Sequence, residues 1–220
     1  GRSATVAIAD VTRAAGQSAD IPATGRGVPI TFVASVPAQS VAFDLVYDPA
    51  RLDVSVFETG SGLPAGSNVR VDGSAGRYRI TVTAPSPMAA GTRELLRVRA
   101  VVPLGVAYGA AQVLDVANVT VDGAAGAGDD GLHVAAYFGD STGDQRYTSL
   151  DGQRVARVVG GLDSGFGFYP LVDPLVISDV DRSGALAAAD STILVRESQF
   201  VLSGNASLDQ AEIPPLPGAA

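Results

Sequence analysis

Two stretches of this chain place oxygen-bearing side chains at the spacing of a cation-wrapping loop. The first, from Asp140 to Asp151, reads DSTGDQRYTSLD; the second, from Asp179 to Asp190, reads DVDRSGALAAAD. Calcium takes about six to eight oxygen ligands, and a twelve-residue loop offers them from positions 1, 3, 5, 7 and 12. The first loop supplies Asp140, Thr142, Asp144, the Arg146 carbonyl and Asp151. The second supplies Asp179, Asp181, Ser183, the Ala185 carbonyl and Asp190. Either loop alone reads equally well as an Asx turn feeding a helix N-cap, which uses the same Asp and Ser chemistry. Repetition separates the two readings. The second loop begins 39 positions after the first in the same register, and each runs into a segment with helical spacing. The expectation is therefore two calcium ions. Three positions depart from the usual loop: Gln145 where glycine is common, Ser183 as a neutral ligand, and Asp rather than Glu at position 12.

Positioning such loops requires helices behind them and apolar residues beneath them. Position 8, which packs under the loop, holds Tyr147 and Leu186. In the first helical segment Leu150, Val155, Val158 and Val159 are expected to face inward; in the second, Ala189, Ile193, Leu194 and Phe200. Upstream, residues 4–122 read as all-β. Val41, Phe43, Leu45 and Tyr47 share one face of a strand, as do Tyr78, Ile80 and Val82, and Leu96, Val98, Ala100 and Val102. Shorter strand candidates lie at 5–11, 28–35, 52–57, 67–72 and 112–121, separated by Gly, Pro, Asn and Asp clusters. Many short half-apolar strands imply a β-sandwich. The fold class is thus mostly β with a small α part. Residues 123–137, beginning GAAGAGDDGL, read as a linker, residues 138–203 as the loop–helix unit, and residues 204–220 as a flexible Pro-rich tail.

Composition narrows the function classes. The chain has 220 residues, 46% of them apolar, and no run long enough to span a membrane. It has no cysteine, so neither disulfides nor thiol chemistry operate, which suits an exported protein. All 15 basic residues are arginine, and 19 of the 23 acids are Asp, the residue of turns and metal loops. Residues 1–137 carry 12 acids and 10 arginines, residues 138–220 carry 11 acids and 5 arginines; two divalent cations would bring the second part near neutrality. An acidic chain without a basic stripe is not a nucleic-acid binder. The single histidine, His133, reads as a packing or linker residue, and no zinc site can be completed from His and Cys. No nucleophile elbow or phosphate loop is present. Asp44 and Asp48 read as turn residues.

Paired loop–helix units with Asp at position 12 and no entering helix resemble dockerin modules. The resemblance covers residues 138–203, although the connection GLDSGFGFYPLVDPLV at 161–176 is longer and more aromatic than the family's. It implies partner contacts at positions 10, 11 and 18 of each repeat, here Ser149, Leu150 and Arg157, and Ala188, Ala189 and Arg196. FDLVYDPARLDV, from Phe43 to Val54, together with the opening VAIADV and IPATGRGVPITFVAS, resembles a cohesin domain, which implies a jelly-roll sandwich over residues 4–122. Cohesins and dockerins are known partners. The expectation is a non-catalytic, calcium-dependent, extracellular or cell-surface interaction protein. Its partner is a cohesin-like or dockerin-like module of the same chain, another copy or another protein. The alternative is a carbohydrate-binding or adhesin module whose calcium part is a stabilising cap; the lack of tryptophan counts against a glycan platform.

Overall fold

A computed structural model of the chain describes residues 3–216. Two sheets pack face to face. One has five strands in the order β11 (Ala127–Asp129), β1 (Ala4–Ile8), β3 (Val28–Ala34), β8 (Gly91–Val101) and β5 (Asp53–Thr59). The other runs β2 (Val11–Thr12), β12 (Gly131–Val134), β9 (Ala111–Val121), β4 (Ala38–Val46), β7 (Arg77–Met88) and β6 (Asn68–Ser74), with β10 (Ala124–Ala125) folded back on β9. The alternating apolar sets read from the sequence line the space between the sheets: Val41, Phe43 and Ile80 are fully buried there, with Leu45, Tyr47, Val82 and Val98 beside them. Leu95 and Leu96 both point inward. A register shift opposite Ile30 and Thr31 places a bulge in β8, which lets two consecutive residues face the core. Asp44 lies within β4 rather than in a turn. Its carboxylate holds Arg77, Arg79 and Asn118 on the outer face of the sheet. Asp48 does occupy the turn after β4, accepting the Ala50 N–H.

The expected linker at 123–137 is instead structural. β11 runs parallel to β1 in one sheet and β12 parallel to β2 in the other, so this segment closes both sheets against the start of the chain. Its glycines serve close approach rather than flexibility. A Cβ on Gly128 would lie 1.8 Å from the Val116 carbonyl oxygen, and one on Gly131 2.8 Å from the carbonyls of Ile8 and Ala9. The neighbouring aspartates satisfy backbone where the chain changes sheets. Asp130 accepts the Val116 N–H at 2.8 Å, and Asp10 accepts the Leu132 N–H at 2.7 Å. The sandwich therefore extends to Val134, beyond the boundary expected at 122.

The C-terminal part holds α1 (Ser149–Val159), α2 (Pro174–Ser178) and α3 (Ala188–Ser203). α2 falls in the long connection, started by Asp173 as N-cap with Pro174 at the first helical position. The aromatic content of that connection has a packing role: Phe166 and Tyr169 join Phe138, Tyr147, Val155, Ile177, Val180 and Leu194 in a second core. This core begins at Val134, the last residue of β12, and continues through Ala136. Leu150, Val159 and Ala189 are exposed rather than inward. α1 meets α3 through Gly152, whose Cβ position is 2.6 Å from the Val195 side chain and 2.8 Å from the Ser191 carbonyl, and Ser191 donates to the Gly152 carbonyl. That close crossing turns the 151–152–155 side inward and leaves Leu150 on the rim. The tail also differs from expectation over its described part. Ile213 is buried in the second core, and the carbonyls of Pro214 and Pro215 accept from Tyr147 and Gln17. Residues 217–220 of the expected tail lie outside the described residues.

Candidate metal centre

Both loops adopt one backbone plan. Positions 4 and 6 are left-handed in each: Gly143 (φ 75) and Gln145 (φ 64) in the first, Arg182 (φ 55) and Gly184 (φ 81) in the second. Each loop thus places glycine at one of the two positions and strains the other. Gln145 sits in the geometry that its departure from glycine foreshadowed. The other non-glycine residue, Arg182, has a side-chain contact that offsets part of this cost: its guanidinium lies 4.9 Å from the Phe138 ring centroid.

The side-chain bonds repeat as well. The position 1 carboxylate accepts from the amides of positions 5 and 6: Asp144 and Gln145 onto Asp140, Ser183 and Gly184 onto Asp179. The position 12 carboxylate accepts from positions 3 and 9: Thr142 and Thr148 onto Asp151, Asp181 and Ala187 onto Asp190. Because position 12 is also the third residue of the helix, Asp151 and Asp190 each tie a helix N-terminus to its loop, where a negative charge is favoured.

The loops differ in what their oxygens face. In the second, carboxylate oxygens of Asp179, Asp181 and Asp190 converge within 4.8 Å of one another, and the Ser183 hydroxyl lies 3.0 Å from the Ala185 carbonyl. Burial, with Asp181 alongside, raises the Asp179 carboxyl above its usual range, whereas the Ser183 hydroxyl and amide lower that of Asp181. Carboxylates crowded in this way are a donor set for a hard cation, whose charge offsets their repulsion. In the first loop Asp144 turns out to solvent and accepts the Arg146 N–H at 3.0 Å. Asp140 and Asp151 are fully buried, and burial raises Asp151 to about 6. The Tyr108 hydroxyl, from the loop between β8 and β9, donates to Asp140 at 2.5 Å and accepts the Tyr137 N–H at 2.9 Å. Phe168 closes over the same loop: a Cβ on Gly143 would lie 2.2 Å from its ring. Nothing in the sequence marks Tyr108, Phe168 or the Arg182–Phe138 pair, because each meets the loops only through tertiary packing.

The six residues expected at a partner surface, Ser149, Leu150, Arg157, Ala188, Ala189 and Arg196, are all exposed. Arg157 pairs with Asp163 at 2.6 Å. The sandwich is approached instead by α2 and by the loops. Thr12 donates to the Val176 carbonyl at 2.7 Å, and Tyr108 reaches Asp140.

No family model and no curated relative matches the chain. Solved structures do. A chain of a complex containing CaCohA2, a protein of Clostridium acetobutylicum, matches with TM-score 0.51 and 16% identity, over 61% of this chain and 100% of that one. The third ScaC cohesin of Acetivibrio cellulolyticus, solved with the ScaB dockerin, matches with TM-score 0.50 and 17% identity, over 60% and 99%. The sandwich has the cohesin fold. A non-cellulosomal cohesin of the archaeon Archaeoglobus fulgidus is also similar, with TM-score 0.49 and 16% identity over 60% and 90%. At these identities the likeness is one of fold, and the matched share is about that occupied by the cohesin-like sandwich.

Proposed function

We propose that the chain is a non-catalytic, calcium-dependent interaction protein of the extracellular or cell-surface kind. Its cohesin-like sandwich presents a sheet face to a dockerin-type partner, and its loop–helix part presents the exposed face of α1 and α3. The observation that carries the reading is the convergence of Asp179, Asp181 and Asp190 at the N-terminus of α3. With the Ser183 hydroxyl and the Ala185 carbonyl these residues would hold the ion. The bound cation would neutralise the crowded carboxylates and fix the start of the helix that carries Ala188, Ala189 and Arg196. The cohesin fold and the dockerin bound to the ScaC cohesin support the choice of partner class.

The test uses the full chain, sedimented alone and with a dockerin module, in calcium and in chelator. A complex formed in calcium and lost in chelator, either with the dockerin or between copies, is expected. If neither complex forms in calcium, the reading fails.

A further inference from the structure

The two loops share a backbone plan but not a state of their oxygens, and a lone-pair count separates them. A carboxylate offers about four acceptor sites, so two offer about eight. Around Asp140 and Asp151 the structure supplies donors for all of them. The amides of Gly143, Asp144 and Gln145 and the Tyr108 hydroxyl donate to Asp140. The Thr142 amide and both the amide and hydroxyl of Thr148 donate to Asp151. The Thr142 hydroxyl lies between the two, 3.1 Å from Asp140 and 2.9 Å from Asp151. Asp144, the remaining carboxylate of this loop, faces solvent. Around Asp179 and Asp190, among the described residues, four amide donors are in place, those of Ser183, Gly184, Asp181 and Ala187. The unused lone pairs there face Asp181 across the convergent cluster.

We infer that the chain holds one calcium ion, in the second loop, and that the first loop is a metal-free joint whose place for an ion is taken by hydroxyls. This rests on the reading of the second loop as a calcium site. The substituting groups are Thr142 and Thr148 from the loop itself and Tyr108 from the cohesin-like sandwich. The last of these gives the joint its purpose. Its hydroxyl links Asp140 to the Tyr137 amide, and Phe168 wedges against both Gly143 and Gly109, whose Cβ positions lie 2.2 and 2.8 Å from its ring. The first loop thus fastens the C-terminal part to the sandwich whether or not calcium is present, while the second responds to it.

Calorimetric titration of calcium into the chelator-stripped full chain, followed by amide NMR of the glycines, tests this. The expected result is one equivalent, with the Gly184 amide shifting and the Gly143 amide unmoved. Asp181→Asn should abolish binding or weaken it at least tenfold, and Asp144→Asn should leave stoichiometry and affinity within twofold. The NMR spectrum of each variant reports that it is folded, and the wild-type stoichiometry stands without either. Two equivalents, or one equivalent that shifts Gly143, overturns the inference while leaving the calcium reading intact. No binding at all overturns both.

Discussion

At the scale of single residues, the conformations of the loops explain why some positions tolerate an unexpected side chain and others do not. Gln145 takes a left-handed conformation that costs a non-glycine residue about 1–2 kcal/mol, and its exposed side chain makes no hydrogen bond among the described residues. Gln145→Gly should therefore raise the stability of the full chain by roughly 0.5–1 kcal/mol, after the added freedom of the unfolded chain is subtracted. A shift of the urea midpoint at constant slope would register this, and a lowered midpoint would show that the glutamine is supported in a way the loop geometry omits. Glu197 gives a pH signature. It is buried under the tail, accepts the Gln210 N–H at 3.0 Å, and burial raises it from 4.5 to about 6. A raised carboxyl stabilises the fold in its protonated form. Its contribution is complete below about pH 4.5 and is lost as pH rises through about 6. Glu197→Gln should remove that slope and leave the protein roughly 1–2 kcal/mol more stable at pH 7, as measured by denaturation at pH 4.5 and pH 7. Equal stability of wild type and variant at pH 7 would contradict this account.

At the scale of elements, the segment read as a linker is what completes the sandwich. Strand periodicity was legible wherever a strand alternates apolar and polar residues, as in β4 and β7, because one face meets the core and the other meets water. β11 and β12 lack that alternation. β11 is the exposed three-residue AGD and β12 the four-residue GLHV, too short to show a period, and they are placed by backbone pairing with β1 and with β2 and β9. A chain ending at residue 122 should therefore fail to fold, because it leaves β2 without its strand partner and exposes one unpaired edge each of β1 and β9. A chain ending at residue 137 keeps those pairings and should retain far more strand. Circular dichroism and NMR dispersion of the two would decide it, and a well-dispersed spectrum from the shorter chain would refute the assignment. The helices show the converse case. Their existence was legible from spacing, but their inward faces were set by the close crossing at Gly152 and Ser191, which no periodicity encodes.

At the scale of the whole molecule, the absence of a linker constrains how the parts can meet. The second core begins at Val134, the last residue of β12, so the loop–helix part is an extension of the sandwich. Tyr108, Thr12 and Gln17 anchor it at one end of the sheets. Within this arrangement the six residues expected at a partner surface are exposed. The sequence by itself determined the strand faces, the paired twelve-residue loops and the helices behind them, because each is written in local spacing. It also marked Gln145 as a departure from the glycine usual at that loop position. Only the tertiary structure decided that residues 124–134 supply strands to both sheets, that Phe166 and Tyr169 of the connection at 161–176 are core, and that the two loops differ. The reason is physical. A loop's ligand geometry is local, but whether its lone pairs are free depends on hydroxyls brought from elsewhere in the fold. Tyr108 lies 32 residues from Asp140 and meets it only when the sandwich is closed.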